Sequence, residues 1–194
     1  MVIKESSDEL NPDVAIKQSS LAARRPARSL SDYVGLAIAT CGVGYFPIAP
    51  GTLGSMLGVI IYLLLVRLIN PVAPSIGVLL AAELTLITVL ALVGIWAASR
   101  AEKLLGRKDP GKVVIDEVAG QLIAFLPVIP KMDPGWITII SAFMLFRLFD
   151  IIKPYPARRL ESLESGLGIM ADDIVAGAYA AVGVSIIAVI RIFI

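Results

Sequence analysis

Residues 113 to 130 read V-V-I-D-E-V-A-G-Q-L-I-A-F-L-P-V-I-P. Two adjacent acids, Asp116 and Glu117, stand near the start of an otherwise apolar run, and how they are read depends on what surrounds it. The chain has 194 residues, of which 57% are hydrophobic and 17% charged. Its mean hydropathy is +0.85. A soluble domain is usually less apolar than this, so the expected class is an integral membrane protein. Working outward from 113–130, further apolar runs cover 51–69, 75–98, 135–152 and 171–194. Each is close to the roughly 20 residues that a helix needs to cross a bilayer. The expected fold is therefore all-α: a polytopic membrane helical bundle of about five transmembrane helices. Residues 33–49 are apolar but rich in Gly and Pro, which suits an interfacial or re-entrant segment covered by protein. The expected domains are a flexible cytoplasmic tail over 1–32 and one membrane-embedded domain over 33–194.

Charge sets the expected orientation, because Lys and Arg are retained on the cytoplasmic side. Lys4, Lys17, Arg24, Arg25 and Arg28 lie in the tail. Arg100, Lys103, Arg107, Lys108 and Lys112 fall in a loop over 99–112, and Lys153, Arg158 and Arg159 in a loop over 153–170. The alternate connections hold only Arg67 and Lys131. With five spans and a cytoplasmic N-terminus, Asp116 and Glu117 start the third span, Asp150 ends the fourth, and Asp172 and Asp173 start the fifth. All five acids then meet one membrane face, joined there by residues 41–55, C-G-V-G-Y-F-P-I-A-P-G-T-L-G-S.

A carboxylate in the first turn of a helix is favoured by the macrodipole, so each acid pair alone could be ordinary helix-start chemistry. Acids from three helices at one face point instead to a shared purpose, since an acid at membrane depth costs roughly 2.5 to 3.5 kcal/mol on insertion scales. The motif D-E-V-A-G at 116–120 is echoed by D-I-V-A-G at 173–177, and in each a glycine follows the first acid by four residues. That spacing puts it on the same helix face, where a neighbouring helix can approach closely.

The chain has no histidine, which removes the usual general base and the commonest transition-metal ligand. The single cysteine, Cys41, cannot form an internal disulfide, and a small buried side chain is its expected role. Clustered carboxylates without His or thiolate favour hard, oxygen-seeking ions, and Mg²⁺ commonly takes one or two carboxylates together with substrate phosphate. Neighbouring Lys and Arg would hold that phosphate, and glycines would let backbone N–H groups approach it. Phosphoryl chemistry at the cytoplasmic headgroup layer is the reading these residues support. A net charge of +1 gives no reason to expect nucleic acid as a partner.

Four motifs in order, G-V-G-Y-F-P-I-A-P-G-T-L-G-S (42–55), V-I-D-E-V-A-G (114–120), F-R-L-F-D-I-I-K-P-Y-P (146–156) and G-I-M-A-D-D-I-V-A-G (168–177), closely resemble the phosphatidylglycerophosphatase A family. The resemblance implies a Mg²⁺-dependent phosphatase of the bacterial inner membrane, acting on the membrane phospholipid phosphatidylglycerophosphate and releasing phosphatidylglycerol and inorganic phosphate. It also implies roles. Asp116, Glu117, Asp172 and Asp173 would supply metal ligands and the base that activates water, with Asp150 a further ligand. Lys153 and Arg147 would grip the phosphate, while Gly42, Gly44, Pro50, Gly51, Thr52, Gly54 and Ser55 line its pocket. Two other classes stay open: a CDP-alcohol phosphotransferase, although the D-G expected before Ala157-Arg158 is missing, and a small cation-coupled transporter. Glu83, well inside the second span, is expected to make an interhelical contact or serve the far interface, and Trp96 and Trp136 are expected to act as interfacial anchors.

Overall fold

The computed structural model describes residues 29–69, 75–128 and 135–193. The helical bundle is the compact unit Ser31–Ile194. The cations of the expected tail, and Lys131, lie outside the described residues. Within the described residues the chain is helical and has no strand. The helices are α1 (Leu30–Thr40), α2 (Pro50–Ile69), α3 (Ile76–Leu105), α4 (Ile115–Phe125), α5 (Gly135–Ile152), α6 (Ala157–Leu160) and α7 (Ser165–Phe193), with a 3₁₀ turn at Val43–Tyr45.

Four of these, α2, α3, α5 and α7, are long and apolar enough to cross a membrane. Their outer faces expose large aliphatic side chains such as Leu64, Leu84, Ile140 and Ile186. The helix at 115–125 is different. With 11 residues it is about 16 Å long, roughly half the hydrocarbon thickness. Pro127 cannot donate the next helical hydrogen bond, which helps end the helix there. All of its residues except Glu117 are buried, and it packs on α2, α3, α5 and α7. The described part of the run, 113–128, is therefore an insert sheathed by protein rather than a fifth lipid-facing span.

Two other boundaries move, with consequences for the site. Helix α3 runs on through Arg100, Glu102 and Lys103 and stops where Gly106 takes the left-handed conformation, φ 67°, which glycine adopts without steric cost. The connecting loop is correspondingly shorter than 99–112. Helix α7 starts at Ser165, not at 171, so Asp172 and Asp173 lie two turns inside it. The Ser99 hydroxyl, itself donating to the Ile95 carbonyl at 2.7 Å, accepts the Gly166 N–H at 3.0 Å, satisfying one of the donors a helix start leaves free.

The expected interfacial segment is the short helix α1 followed by the 3₁₀ turn. Arg100 of α3 ties it down through Asp32 and the Ser31 hydroxyl, both at 2.8 Å, and Arg100 also stacks over Trp96.

The helices meet where side chains are small. Along α2, Gly54, Gly58 and Tyr62 face Glu117, Gln121 and Phe125 of α4 at one constant sequence offset, so the two helices run parallel for two turns. A Cβ on Gly120 would stand 2.7 Å from the Asp173 carbonyl, and one on Gly177 would strike the Gly120 carbonyl. The two glycines of the repeated D-x-V-A-G motif thus form a single crossing of α4 and α7, which holds the acids above them together.

Candidate active site

The first turn of α4 carries Asp116 and Glu117, and α7 brings Asp173 to them. One carboxylate oxygen from each lies within 4.8 Å of the others. Asp116 Oδ1, Glu117 Oε2 and Asp173 Oδ2 are buried and make no hydrogen bond within the described residues. Three carboxylates at this range repel one another, and each buried oxygen left unpartnered costs about 1 to 3 kcal/mol or more. A hard divalent cation would offset both costs, because Mg²⁺ and Ca²⁺ take oxygen ligands. The donor set and its unpartnered oxygens therefore fit such an ion.

The other two acids have different neighbours. Asp172 accepts from Lys153 Nζ at 2.7 Å, and the same nitrogen lies 3.3 Å from Glu161. Asp150 pairs with Arg147 at 2.6 Å on the last turns of α5 and also lies beside Asp173. The structure thus divides the five acids into a cluster of three and two ion-paired carboxylates that aim a lysine and an arginine. Lys153 closes α5 from the left-handed region, φ 48°, a conformation costing a non-glycine residue roughly 1 to 2 kcal/mol. Its two carboxylate partners hold its ammonium pKa above the ordinary lysine value, against the opposing effect of burial.

The phosphate-loop residues also separate. Gly51 lies against the Glu117 carboxylate and Arg147 Nη1, so a Cβ there would intrude on both. Ser55 donates to the Gly51 carbonyl at 3.0 Å and accepts from Arg147 at 3.4 Å. Gly54 backs onto Val114 and the base of Glu117. Pro50 opens α2, a position suited to its fixed φ, and Thr52 is half-buried in the same first turn. Gly42 and Gly44 do a different job. Gly42 turns the chain at φ 73°, and Gly44 presses on the Lys112 carbonyl, so both seat the α1–α2 connection on the loop before α4.

Cys41 neighbours Asp116, but burial, and secondarily that negative charge, push its thiol up to about 11. A neutral thiol is a poor nucleophile. Glu83 of α3 is buried, and its Oε1 has no hydrogen-bond partner among the described residues.

Two residues near the cluster escape sequence reasoning. Asp109 sits in a D-P-G turn that reads as loop punctuation, yet its charge acts on Asp116, Asp172 and Lys153. Desolvation raises its own pKa, against Lys153 and with help from Glu161 and Asp150. Gln121 lies one turn below Glu117, fully buried, with both amide atoms unpartnered among the described residues. An amide inside an apolar run carries no sequence signal that separates it from packing.

Comparison with known proteins follows this geometry. The family profile described as phosphatidylglycerophosphatase A matches residues 36–188. The phosphatidylglycerophosphatase A of Haemophilus influenzae is 37% identical over 155 residues, 79% of this chain and 88% of that protein. That of Escherichia coli K12 is 32% identical over 142 residues, 72% and 74% of the two chains. A Bacteroides thetaiotaomicron protein, provisionally named a phosphatidylinositol-3-phosphatase, is 41% identical over 138 residues, 71% of this chain and 82% of its own. No solved structure matches the chain.

Proposed function

The chain belongs to the phosphatidylglycerophosphatase A family and is a membrane phosphatase, and on that premise we propose that it hydrolyses phosphatidylglycerophosphate to phosphatidylglycerol and inorganic phosphate, with Mg²⁺ held by Asp116, Glu117 and Asp173. The observation that carries this reading is that Asp116, Glu117 and Asp173 bring one carboxylate oxygen each within 4.8 Å of the others, and that each of the three has a buried oxygen without a hydrogen-bond partner among the described residues. Mg²⁺ bound there supplies Lewis-acid polarisation of a phosphoryl oxygen.

The chain's own residues do the rest. Lys153 and Arg147, steered by Asp172 and Asp150, donate to the phosphoryl oxygens and offset their developing charge. Gly51 lets the first turn of α2 lie directly against Glu117 and Arg147, where a Cβ would not fit. One carboxylate of the cluster accepts a proton from water as the water oxygen bonds to phosphorus. The bond from phosphorus to the glycerol oxygen breaks, and that oxygen takes up a proton to become the free hydroxyl of the lipid product.

The site end of the bundle carries Arg107, Lys108, Lys112, Lys153, Arg158 and Arg159, which supports placing it on the cytoplasmic side of the bacterial inner membrane. The polar segment before the bundle would lie on the same side. The relative named for phosphatidylinositol-3-phosphate favours a second reading, in which the polyol is inositol rather than glycerol.

The test is phosphate release from phosphatidylglycerophosphate by purified protein in detergent, with Mg²⁺ or EDTA. Asp116→Asn and Asp173→Asn variants with intact thermal unfolding run alongside. Release that needs Mg²⁺ and disappears in both variants supports the reading. Absence of release from every lipid phosphate offered to well-folded protein would overturn it.

A further inference from the structure

At the same end of the bundle, a cavity of about 450 Å³ is lined by Lys108, Asp109, Arg158, Glu161 and Ser162. It adjoins the candidate active site directly. Glu161 of its wall lies 3.3 Å from Lys153 Nζ, the atom that also bonds Asp172, and Asp109 of its wall feels the charges of Lys153 and Asp150. A molecule with one end held by Lys153 therefore extends into this cavity within one side-chain length.

The lining chemistry narrows what that molecule carries. Lys108 and Arg158 make no ion pair with any described residue, although two carboxylates share their cavity. Two available cations beside a site that already has Lys153 and Arg147 for one phosphate suit a second, separate anion. Arginine's planar fork matches phosphate oxygens well. Asp109 and Glu161 are acceptors suited to hydroxyl donors, and Ser162, whose hydroxyl donates to the Arg159 carbonyl at 2.7 Å, retains acceptor capacity. The volume falls within the usual range of small-molecule sites, about 300 to 1,000 Å³. Exposed apolar side chains stand next to these residues in the chain: Ile151, Ile152 and Tyr155 before Arg158, and Leu163 and Leu167 after Ser162. A ligand with an apolar anchor is served by that neighbourhood.

We propose that this cavity is a headgroup subsite: Lys108 and Arg158 pair with an inner phosphodiester and Asp109 and Glu161 bind polyol hydroxyls, while the terminal phosphomonoester lies at Asp116, Glu117 and Asp173. The inference rests on the phosphatase reading above. It makes the subsite the source of selectivity for lipids that carry a polyol phosphodiester between the phosphomonoester and the diacylglycerol. Phosphatidic acid, whose phosphomonoester is attached directly to diacylglycerol, leaves the subsite unused.

The experiment measures kcat and KM for phosphate release by the full chain in mixed micelles. The substrates are phosphatidylglycerophosphate, phosphatidylinositol 3-phosphate and phosphatidic acid. Wild type is compared with Lys108→Gln, Arg158→Gln, the double variant and Arg158→Lys. A charge-assisted contact of ordinary strength predicts that each neutral substitution lowers the selectivity ratio, diester lipid over phosphatidic acid, by about 10-fold. The loss should appear mainly in KM, and Arg158→Lys should recover part of it. Whichever polyol lipid wild type prefers identifies the occupant as glycerol- or inositol-based. An unchanged ratio in the double variant, or an equal loss with all three lipids, overturns the subsite while leaving the phosphatase reading intact. Failure of wild type on all three lipids overturns both.

Discussion

Two buried polar groups lie along the parallel seam of α2 and α4. At the head of α4, Asp116 and Glu117 meet Asp173; one to two turns further in, Gln121 backs onto Gly58 and Tyr62 stacks on Phe125, and Glu83 of α3 is also buried. Both groups contain buried polar atoms with no hydrogen-bond partner among the described residues. They differ in what stands beside them. The upper group has Lys153 and Arg147 at its edge, each aimed by its own carboxylate, and beside Lys153 the cavity lined by Asp109, Arg158 and Glu161. The lower group makes no ion pair among the described residues, and its Tyr62 ring stacks on Phe125 with centroids 4.2 Å apart. Burial and unmet hydrogen bonding are common to both, so they do not define a reaction site. Opposite charge at reach and room for a substrate do.

The sharpest way to break this comparison is to neutralise one carboxylate in each group. Asp116→Asn or Asp173→Asn should lower phosphate release by at least about 10²- to 10³-fold, whereas Glu83→Gln should leave it within about threefold. Comparable losses in the two groups would mean that the lower group belongs to the site. Next in size, Lys153→Gln should cost about 10²-fold in turnover. Arg147→Lys should cost less, since it keeps the charge and loses only the fork.

A stability measurement separates site from scaffold. Gly120→Ala drives a Cβ into Phe146 and the Asp173 carbonyl and should destabilise the bundle by about 1 to 3 kcal/mol, read as a lower thermal midpoint in detergent. Gly51→Ala meets only the far ends of Glu117 and Arg147. It should reduce activity with little change in that midpoint. If Gly51→Ala unfolds the protein instead, the close fit of Gly51 against Glu117 is structural.

The smallest effect concerns Cys41. Its thiol is raised to about 11, mostly by burial and secondarily by Asp116. The folded value lies above the unfolded one, so the thiol stays protonated at pH 8 to 9 and alkylates slowly, and its rate should climb as pH approaches 11. Asp116→Asn removes the secondary cause and should quicken alkylation modestly at pH 9. An unchanged rate would mean that the Asp116 charge does not reach the sulfur.

The helices most legible in the sequence are those whose apolar runs are long and bounded by proline or charge. Helix α5 starts and ends where its hydropathy does, at 135 and 152, and α2 begins at Pro50. The run at 113–130 misleads because hydropathy measures whether a segment avoids water, and a helix wrapped by protein avoids water as fully as one wrapped by lipid. The acids of α7 were displaced in register for a related reason. Residues 165–170, S-G-L-G-I-M, look like loop because of their glycines, and they become helical because those glycines let backbone pack on backbone. In the site, the gathering of five acids at one end and the repeated glycine motif were visible as a pattern. Asp109 was not, since its part depends on which acids a turn happens to face.

The sequence by itself determined the membrane class and the end of the bundle where the acids gather, because both follow from composition and one-dimensional spacing. Only the tertiary structure decided that three of five acids converge while two are occupied by Arg147 and Lys153. It also showed that α4 is an insert rather than a span, and that a polar cavity opens beside the site. Those outcomes depend on distances between side chains far apart in the chain, set by how closely Gly54, Gly58, Gly120 and Gly177 let four helices approach.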